Sequence, residues 1–283
     1  MKLLRYGHRG EEKPALLDEQ GNIRDLFHYL NDFDPETLSD PSLLAQLCAL
    51  NPEHLPLIDA SVRVGACVAN PGKIVCVGLN SVMHAQQMGL HPLPNQDMVL
   101  FLKATSAICG PNDAILYTKT MQKLDWEAEL AIVIGKKGKY IPESEAHEYI
   151  FGYTCMNDLS ERYWQFETAD KQFTKGKSFD NAAPLGPYLV TRDTFRTSEH
   201  LEIKLWVNDV LRQDFSTDEY IHQDTSVVSY VSQFFTLYPG DIISMGTGTG
   251  NAATWENQFL KPGDAVRLSI QGIGEQLQAV IDE

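Results

Sequence analysis

The chain has 283 residues, of which 43% are apolar, and a formal net charge of −15 at pH 7. This size allows one large hydrophobic core and a smaller unit. The negative charge argues against a nucleic-acid ligand, because binding to phosphates needs a basic surface. Five scattered cysteines, no apolar run near the ~20 residues of a membrane span and no apolar leader predict a cytoplasmic protein with reduced thiols and no membrane association.

The first 70 residues predict a small N-terminal α+β domain. Short strands are expected at 2–6 and 14–17, a hairpin turn at Gly21-Asn22, and a helix over 41–50 with leucines at helical spacing. Prolines and the dipeptide Pro71-Gly72 then interrupt regular structure. We therefore place a domain boundary between residues 70 and 71.

Residues 71–283 predict a second domain built mainly of short strands. The main candidates are 74–77, 99–103, 114–116, 130–134, 151–156, 188–191, 202–207, 242–245 and 265–270. One helix is expected over 225–237, closed by Pro239-Gly240. Many strands with few helices predict a β-rich α+β domain, either a roll or a sandwich.

Two glutamates open a strand that is otherwise apolar on both faces. Glu127 and Glu129 lie two residues apart, so they point to the same side of an extended chain, roughly 6–7 Å apart. At a half-buried strand end these carboxylates repel each other. A hard divalent cation would turn the repulsion into coordination, while a solvent-exposed strand end is the alternative.

A third acid follows the next predicted strand. Asp158 is suited to cap a helix, with Glu161 three residues later as in a capping box. In that helix Asp158, Arg162 and Gln165 share one face, which suits binding of a cation together with an anion. Further on, Lys177 lies in a Gly-Lys-Ser triplet, but the chain lacks the first glycine of a phosphate-binding loop.

Taken together, these motifs resemble the fumarylacetoacetate hydrolase superfamily. The resemblance rests on Glu-x-Glu at 127–129, Asp-x-x-x-Arg-x-x-Gln at 158–165 and Gly-Lys-Ser-Phe at 176–179. Further matching motifs are Val-Gly-Leu-Asn at 77–80 with His84 downstream, Phe-Leu-Lys at 101–103, Gly-Pro-Asn-Asp at 110–113 and Pro-Gly-Asp at 239–241. The resemblance covers about residue 72 to the C-terminus and implies the mixed β-sandwich or roll of fumarylacetoacetate hydrolase (FAH). The first seven residues are similar to bacterial members with a small N-terminal domain.

The resemblance also implies the site. Its metal ligands would be Glu127, Glu129 and Asp158, holding Mg²⁺ or Mn²⁺, with Ca²⁺ as a further candidate. The catalytic residues would be His84, Arg162 and Lys177, with His84 as general base toward water. Substrate contacts would come from Gln87, Lys103, Gln165 and Thr247. The expected reaction is C–C bond hydrolysis in an acylpyruvate, a small anionic oxo acid, by a homodimer.

The sequence departs from the family pattern near the expected base. Gln87 stands where many hydrolytic members carry a glutamate, and a neutral amide cannot stabilise an imidazolium. Decarboxylation of an oxo acid, keto–enol isomerisation and metal or ligand binding without catalysis therefore remain alternatives. A dinucleotide loop at 246–250 is disfavoured because the spacing is Gly-x-Gly-x-Gly and no βαβ unit surrounds it.

Overall fold

The computed structural model describes residues 1–87, 89, 91, 97–195, 198 and 200–283. Its strands are β1 (Lys2–Tyr6), β2 (Lys13–Leu17), β3 (Ile23–Asp25), β4 (Leu57–Ile58), β5 (Ile74–Gly78), β6 (Val99–Lys103), β7 (Ile108–Cys109), β8 (Ile115–Tyr117), β9 (Leu124–Asp125), β10 (Ala128–Ile134), β11 (Ile150–Asn157), β12 (Ser160–Glu161), β13 (Ala183–Pro184), β14 (Leu189–Thr191), β15 (Glu202–Val207), β16 (Val210–Ser216), β17 (Ile242–Thr247), β18 (Ala265–Ile270) and β19 (Gly274–Asp282). Its α-helices are α1 (Pro35–Leu38), α2 (Leu43–Cys48), α3 (Val82–Gln87), α4 (Phe173–Lys177) and α5 (Asp224–Phe234). None of the helices in these described ranges is long and apolar enough to cross a membrane.

A ten-stranded sheet crosses the whole molecule in the order β4-β3-β2-β1-β14-β11-β10-β17-β5-β6. Its centre, β10 and β11, is buried along its full length, because both faces are covered. The N-terminal strands extend this sheet, since β1 pairs with β14 through Lys2 with Val190 and Leu3 with Leu189. A small cluster of buried residues around Leu4 and Tyr6 lies apart from the main core. The boundary at residues 70/71 stays a prediction.

A five-stranded sheet, in the order β16-β15-β18-β19-β8, covers one face of the central strands. In β15 and β18 every second residue is buried, as expected for a sheet with one face on the core and one toward solvent. The buried sides contact β10 and β11. The main core therefore lies between the two sheets, and the predicted β-rich α+β class is confirmed.

The strands predicted from hydrophobic patterning are present, with ends shifted by a residue or two. Eight further strands in the described part of the chain were not predicted, of which β16 and β19 are the longest. In β19 the buried face carries Gln276 and Gln278, both fully inaccessible, whereas Leu277 between them is 54% exposed. Gln276 donates to the carbonyls of Cys155 and Gly186, so its amide pairs backbone groups inside the core. This pattern is the reverse of the alternation that signals a strand.

The predicted helix beginning at Asp158 is wrong. Instead the chain forms the two-residue strand β12, which pairs with β9, and then a π-helical turn over Tyr163–Glu167. The Glu161 carboxylate accepts from the backbone N–H groups of Gln122 and Lys123, and the Asp158 carboxylate accepts from lysines rather than from a helix terminus. Long-range charge pairing therefore overrides the local capping signal.

Candidate metal and active site

Strand pairing brings the three predicted metal ligands together. Glu127 directly precedes β10, Glu129 lies within it, and Asp158 directly follows β11. The Asp158 N–H donates to the Glu127 carbonyl at 2.8 Å, which continues the β10–β11 ladder to this point. One carboxylate oxygen from each residue lies within 4.8 Å of the others, and all three side chains are buried.

This donor set fits a hard divalent cation. Oxygen ligands on opposite sides of Mg²⁺ or Ca²⁺ are separated by about 4–5 Å, which matches the spread of the three carboxylates. Burial, reinforced by the charges of Asp158 and Glu127, raises the pKa of Glu129 well above its usual value. A cation would relieve this repulsion. The all-oxygen chemistry suits Mg²⁺, Mn²⁺ or Ca²⁺ and does not distinguish among them.

Two cationic side chains pair with the acids. Lys177 Nζ lies 2.5 Å from Glu127 Oε2 and 2.8 Å from Asp158 Oδ2, and Arg162 Nη2 donates to Glu127 Oε1 at 2.6 Å. Burial alone raises the pKa of Glu127, but Arg162 and Lys177 outweigh it and hold that pKa well below its usual value. These pairings favour the ionised form of Glu127, which is the form in which a carboxylate binds a metal.

The structure shows three supporting residues that sequence reasoning missed. Asp125, fully buried, accepts from Arg162 Nε at 2.8 Å and so fixes the guanidinium. The Ser244 hydroxyl donates to Glu129, whose same oxygen also accepts from the Gly246 N–H at 3.0 Å. Gln213 donates to Thr247 Oγ1 at 2.9 Å. Asp125 directly precedes the Trp-Glu-x-Glu run, and that position was the only signal available.

The remaining predicted substrate contacts differ in placement. Gln165 is buried and its Oε1 accepts from Arg162 Nη1 at 2.9 Å. Thr247 lines the cavity, but its hydroxyl donates to the Ala128 carbonyl at 3.0 Å. Lys103 lies behind the triad, donating to Asp158 Oδ1 at 2.5 Å, and is not among the described residues that line the cavity. Its position makes it a partner of Asp158, one of the three predicted metal ligands.

His84 lies on α3 and lines the same cavity, as the sequence predicted. Its backbone N–H is 3.3 Å from Ser81 Oγ, so Ser81 caps the short helix. Burial lowers the pKa of His84, and the charges of Arg162 and Lys177 lower it further. The charge of Glu127 and a hydrogen bond with Gln87 raise the pKa but do not outweigh these effects. Nδ1 is buried and has no hydrogen-bond partner within the described residues, whereas Gln87 is exposed. The lowered pKa favours the neutral imidazole, whose Nδ1 can donate or accept according to the tautomer.

The site opens into a cavity of about 300 Å³. Its polar floor holds the acidic triad with Arg162, Lys177 and His84, and its walls include Val77, Val99, Phe101, Phe166, Phe173, Asn251, Asn257 and Phe259. A cavity with a few convergent polar groups and apolar walls is the usual form of a small-molecule site. The sequence did not predict that these phenylalanines line the cavity.

Known proteins are similar to this chain over its whole length. A protein from Burkholderia cenocepacia (strain HI2424), provisionally named a hydrolase, is 45% identical over all of this chain and 99% of its own length. The solved structure of a fumarylacetoacetate hydrolase from Exiguobacterium antarcticum is 31% identical, with a TM-score of 0.86 and full coverage of both chains. The maleylpyruvate hydrolase of Sphingobium sp. SYK-6, solved with manganese(II) and pyruvate, is 26% identical, with a TM-score of 0.83, over 100% of this chain and 99% of that one.

The family model for the C-terminal domain of fumarylacetoacetate hydrolase matches residues 73–281, the part of the chain that contains every residue of the site. The sequence resemblance is thereby confirmed, and this chain belongs to the fumarylacetoacetate hydrolase family.

Proposed function

We propose that the protein is a divalent-cation-dependent hydrolase that cleaves the C3–C4 bond of a 2,4-dioxo acid, an acylpyruvate. The observation that carries the proposal is the buried triad of Glu127, Glu129 and Asp158 in a cavity that also holds His84. A similar protein binds manganese(II) and pyruvate, and pyruvate is the product that such cleavage releases. Mg²⁺ or Mn²⁺ held by the triad would polarise the substrate oxygens and stabilise the enolate that leaves.

The chain's own residues supply the remaining steps. Arg162 and Lys177, both buried and cationic, attract and orient the carboxylate end of the substrate. His84 takes a proton from a water molecule, whose oxygen adds to C4. The C3–C4 bond then breaks and C3 gains a proton, so that one water and one acylpyruvate give pyruvate and a carboxylic acid.

The test is pyruvate release from acetopyruvate with Mn²⁺, with Mg²⁺ and after chelation. Activity should require the cation and fall at least about 100-fold in Glu127→Gln, because that change removes a charged ligand. His84→Gln should lower kcat about 10²–10⁴-fold while leaving Mn²⁺ binding intact, as expected for loss of a general base. Unchanged turnover after chelation, or in Glu127→Gln, would refute the metal site.

A second candidate reaction is decarboxylation or keto–enol isomerisation of an oxo acid at the same site. It is favoured by Gln87, which is exposed and uncharged where an acid could have stabilised the His84 imidazolium. Glu127 partly takes that role, because its charge raises the pKa of His84 against the effect of burial. Release of CO₂ or a change in enol absorbance, without cleavage of acetopyruvate, would select the second candidate.

A further inference from the structure

The residues that form the walls of the cavity indicate what kind of acyl group the substrate carries at the end opposite its oxo acid. Lys177 Nζ lies 5.0 Å from the centre of the Phe101 ring, so the aromatic surface begins directly beside the polar floor. Phe101 contacts Phe173 edge-to-face at 5.3 Å, and Phe173 contacts Phe166 in the same way at 5.7 Å. We call Phe101, Phe173 and Phe166 the aromatic wall.

The aromatic wall leads from the buried site toward solvent. Lys177 is 2% exposed, Phe101 and Phe173 are half-buried, and Phe166 is 43% exposed. The rings come from three separate segments, namely β6, the π-helical turn and α4. A substrate whose oxo acid end binds at the floor would therefore extend its acyl group along these rings.

The cavity offers no free cation for a second carboxylate at that end. Among the described residues that line it, the only Arg and Lys are Arg162 and Lys177, and both lie at the floor, where the proposed function assigns them to the first carboxylate. Glu167 also lines the cavity, is exposed and repels an anion at long range. The nearby Lys123 is paired with Glu167. A carboxylate at the far end would therefore lose part of its hydration without gaining a cationic partner.

We propose that the aromatic wall binds an uncharged alkyl or aryl group, so that the enzyme prefers acylpyruvates with an apolar acyl chain over those that end in a second carboxylate. This inference rests on the proposed function for the identity of the reacting end. The wall itself is independent of the reaction and predicts selective binding of unreactive 2-oxo acids as well.

Calorimetric titration of the Mn²⁺-loaded protein provides a binding test without turnover. Two ligands of equal carbon number, 2-oxohexanoate and 2-oxohexanedioate, differ only in a terminal methyl or carboxylate. The monoacid should bind at least about tenfold more tightly, because the diacid places a charge against the apolar wall without a cationic partner. Across the series from 2-oxobutanoate to 2-oxooctanoate, each methylene that reaches the wall should tighten binding up to about fourfold. Equal or tighter binding of the diacid, or no binding of either ligand, would overturn the proposal.

A substitution at Phe166 tests whether the acyl end of the substrate lies along the aromatic wall. Phe166→Arg places a cation on the most exposed ring of the aromatic wall, and Phe166→Leu is the matched uncharged control. The arginine variant should reverse or at least erase the preference for 2-oxohexanoate, whereas the leucine variant should keep it. If both variants keep the wild-type preference, the acyl end does not lie along this wall and the proposal fails.

Turnover of two dioxo acids separates this proposal from the proposed function. Hydrolysis of 2,4-dioxooctanoate gives pyruvate and pentanoate, and hydrolysis of 2,4-dioxooctanedioate gives pyruvate and pentanedioate. A higher kcat/KM for the monoacid supports both conclusions. Faster cleavage of the diacid would support the proposed hydrolase activity and refute the preference for an apolar acyl chain. Selective binding of 2-oxohexanoate with no cleavage of either dioxo acid would support the apolar preference of the aromatic wall and refute the proposed hydrolase activity.

Discussion

Asp125 allows a test of which hydrogen bonds stabilise the site, because its two carboxylate oxygens accept from different groups. Oδ1 accepts from the backbone N–H groups of Trp126 and Ala252, at 2.8 and 2.7 Å, and Oδ2 accepts from Arg162 Nε at 2.8 Å. In Asp125→Asn the amide oxygen can keep both backbone bonds. The amide NH₂ group then faces the Arg162 N–H, so two donors meet in a site with no access to water.

The expected cost combines two effects. A hydrogen bond to a charged group contributes about 1.5–3 kcal/mol, and a buried donor left unpaired costs a similar amount. Arg162 keeps its bonds to Glu127 and Gln165, which limits the loss. We expect Asp125→Asn to lower the free energy of unfolding by about 3 kcal/mol, or Tm by about 6–12 °C.

Urea denaturation followed by circular dichroism at pH 7 measures the stability change. Steady-state kinetics measures the effect of the substitution on kcat and KM. With its anchor lost, Arg162 should hold the substrate carboxylate less well, so KM should rise. Asp193→Asn, at an exposed acid, is the control and should change neither quantity. A stability loss below about 0.5 kcal/mol in Asp125→Asn would show that the Asp125–Arg162 contact contributes little.

Three further predictions concern other parts of the structure. Ser244→Ala removes a donor to Glu129 and should weaken Mn²⁺ binding about 10–100-fold in a direct titration, since outer groups orient metal ligands. Gly152→Ala should destabilise the fold by at least about 2 kcal/mol in urea, because its Cβ would lie 2.2 Å from a carbonyl oxygen of the neighbouring strand. Burial raises the pKa of Asp113, but bonds from Arg63 and a backbone N–H lower it overall. The stability that this carboxylate contributes is therefore present above the unfolded-state pKa of roughly 4 and is lost as the pH falls further, so Asp113→Asn should differ from wild type at pH 7 and converge with it in acid.

Each of these predictions has a contrasting control or outcome. Ser61→Ala, at an exposed serine, should leave Mn²⁺ affinity unchanged. Gly263→Ala places its Cβ in open space at a φ of +92°, so it reports backbone strain without the clash expected at Gly152. Equal losses in the two glycine variants would refute the steric argument. A constant stability difference between Asp113→Asn and wild type from pH 7 to pH 3 would refute the titration argument.

The sequence by itself predicted the acidic cluster and much of the strand plan. Glu127, Glu129, Asp158 and Lys177 were identified from motifs whose order and spacing are specific, and the structure brings them together. Strands such as β10 were predictable because their hydrophobic pattern is local and their length fits a buried segment. The strand pattern depends on neighbouring residues only, whereas the acidic cluster was predicted from the order of several motifs along the chain.

Tertiary structure decided what local pattern could not express. Asp158 has a capping signal, yet it pairs with Lys103 and Lys177, which are distant in sequence, because buried charges must be compensated. Gln276 is buried in β19 because backbone carbonyls of other strands accept from its amide. The aromatic wall likewise exists only where three separate segments meet, and it is this long-range packing that shapes the far end of the cavity.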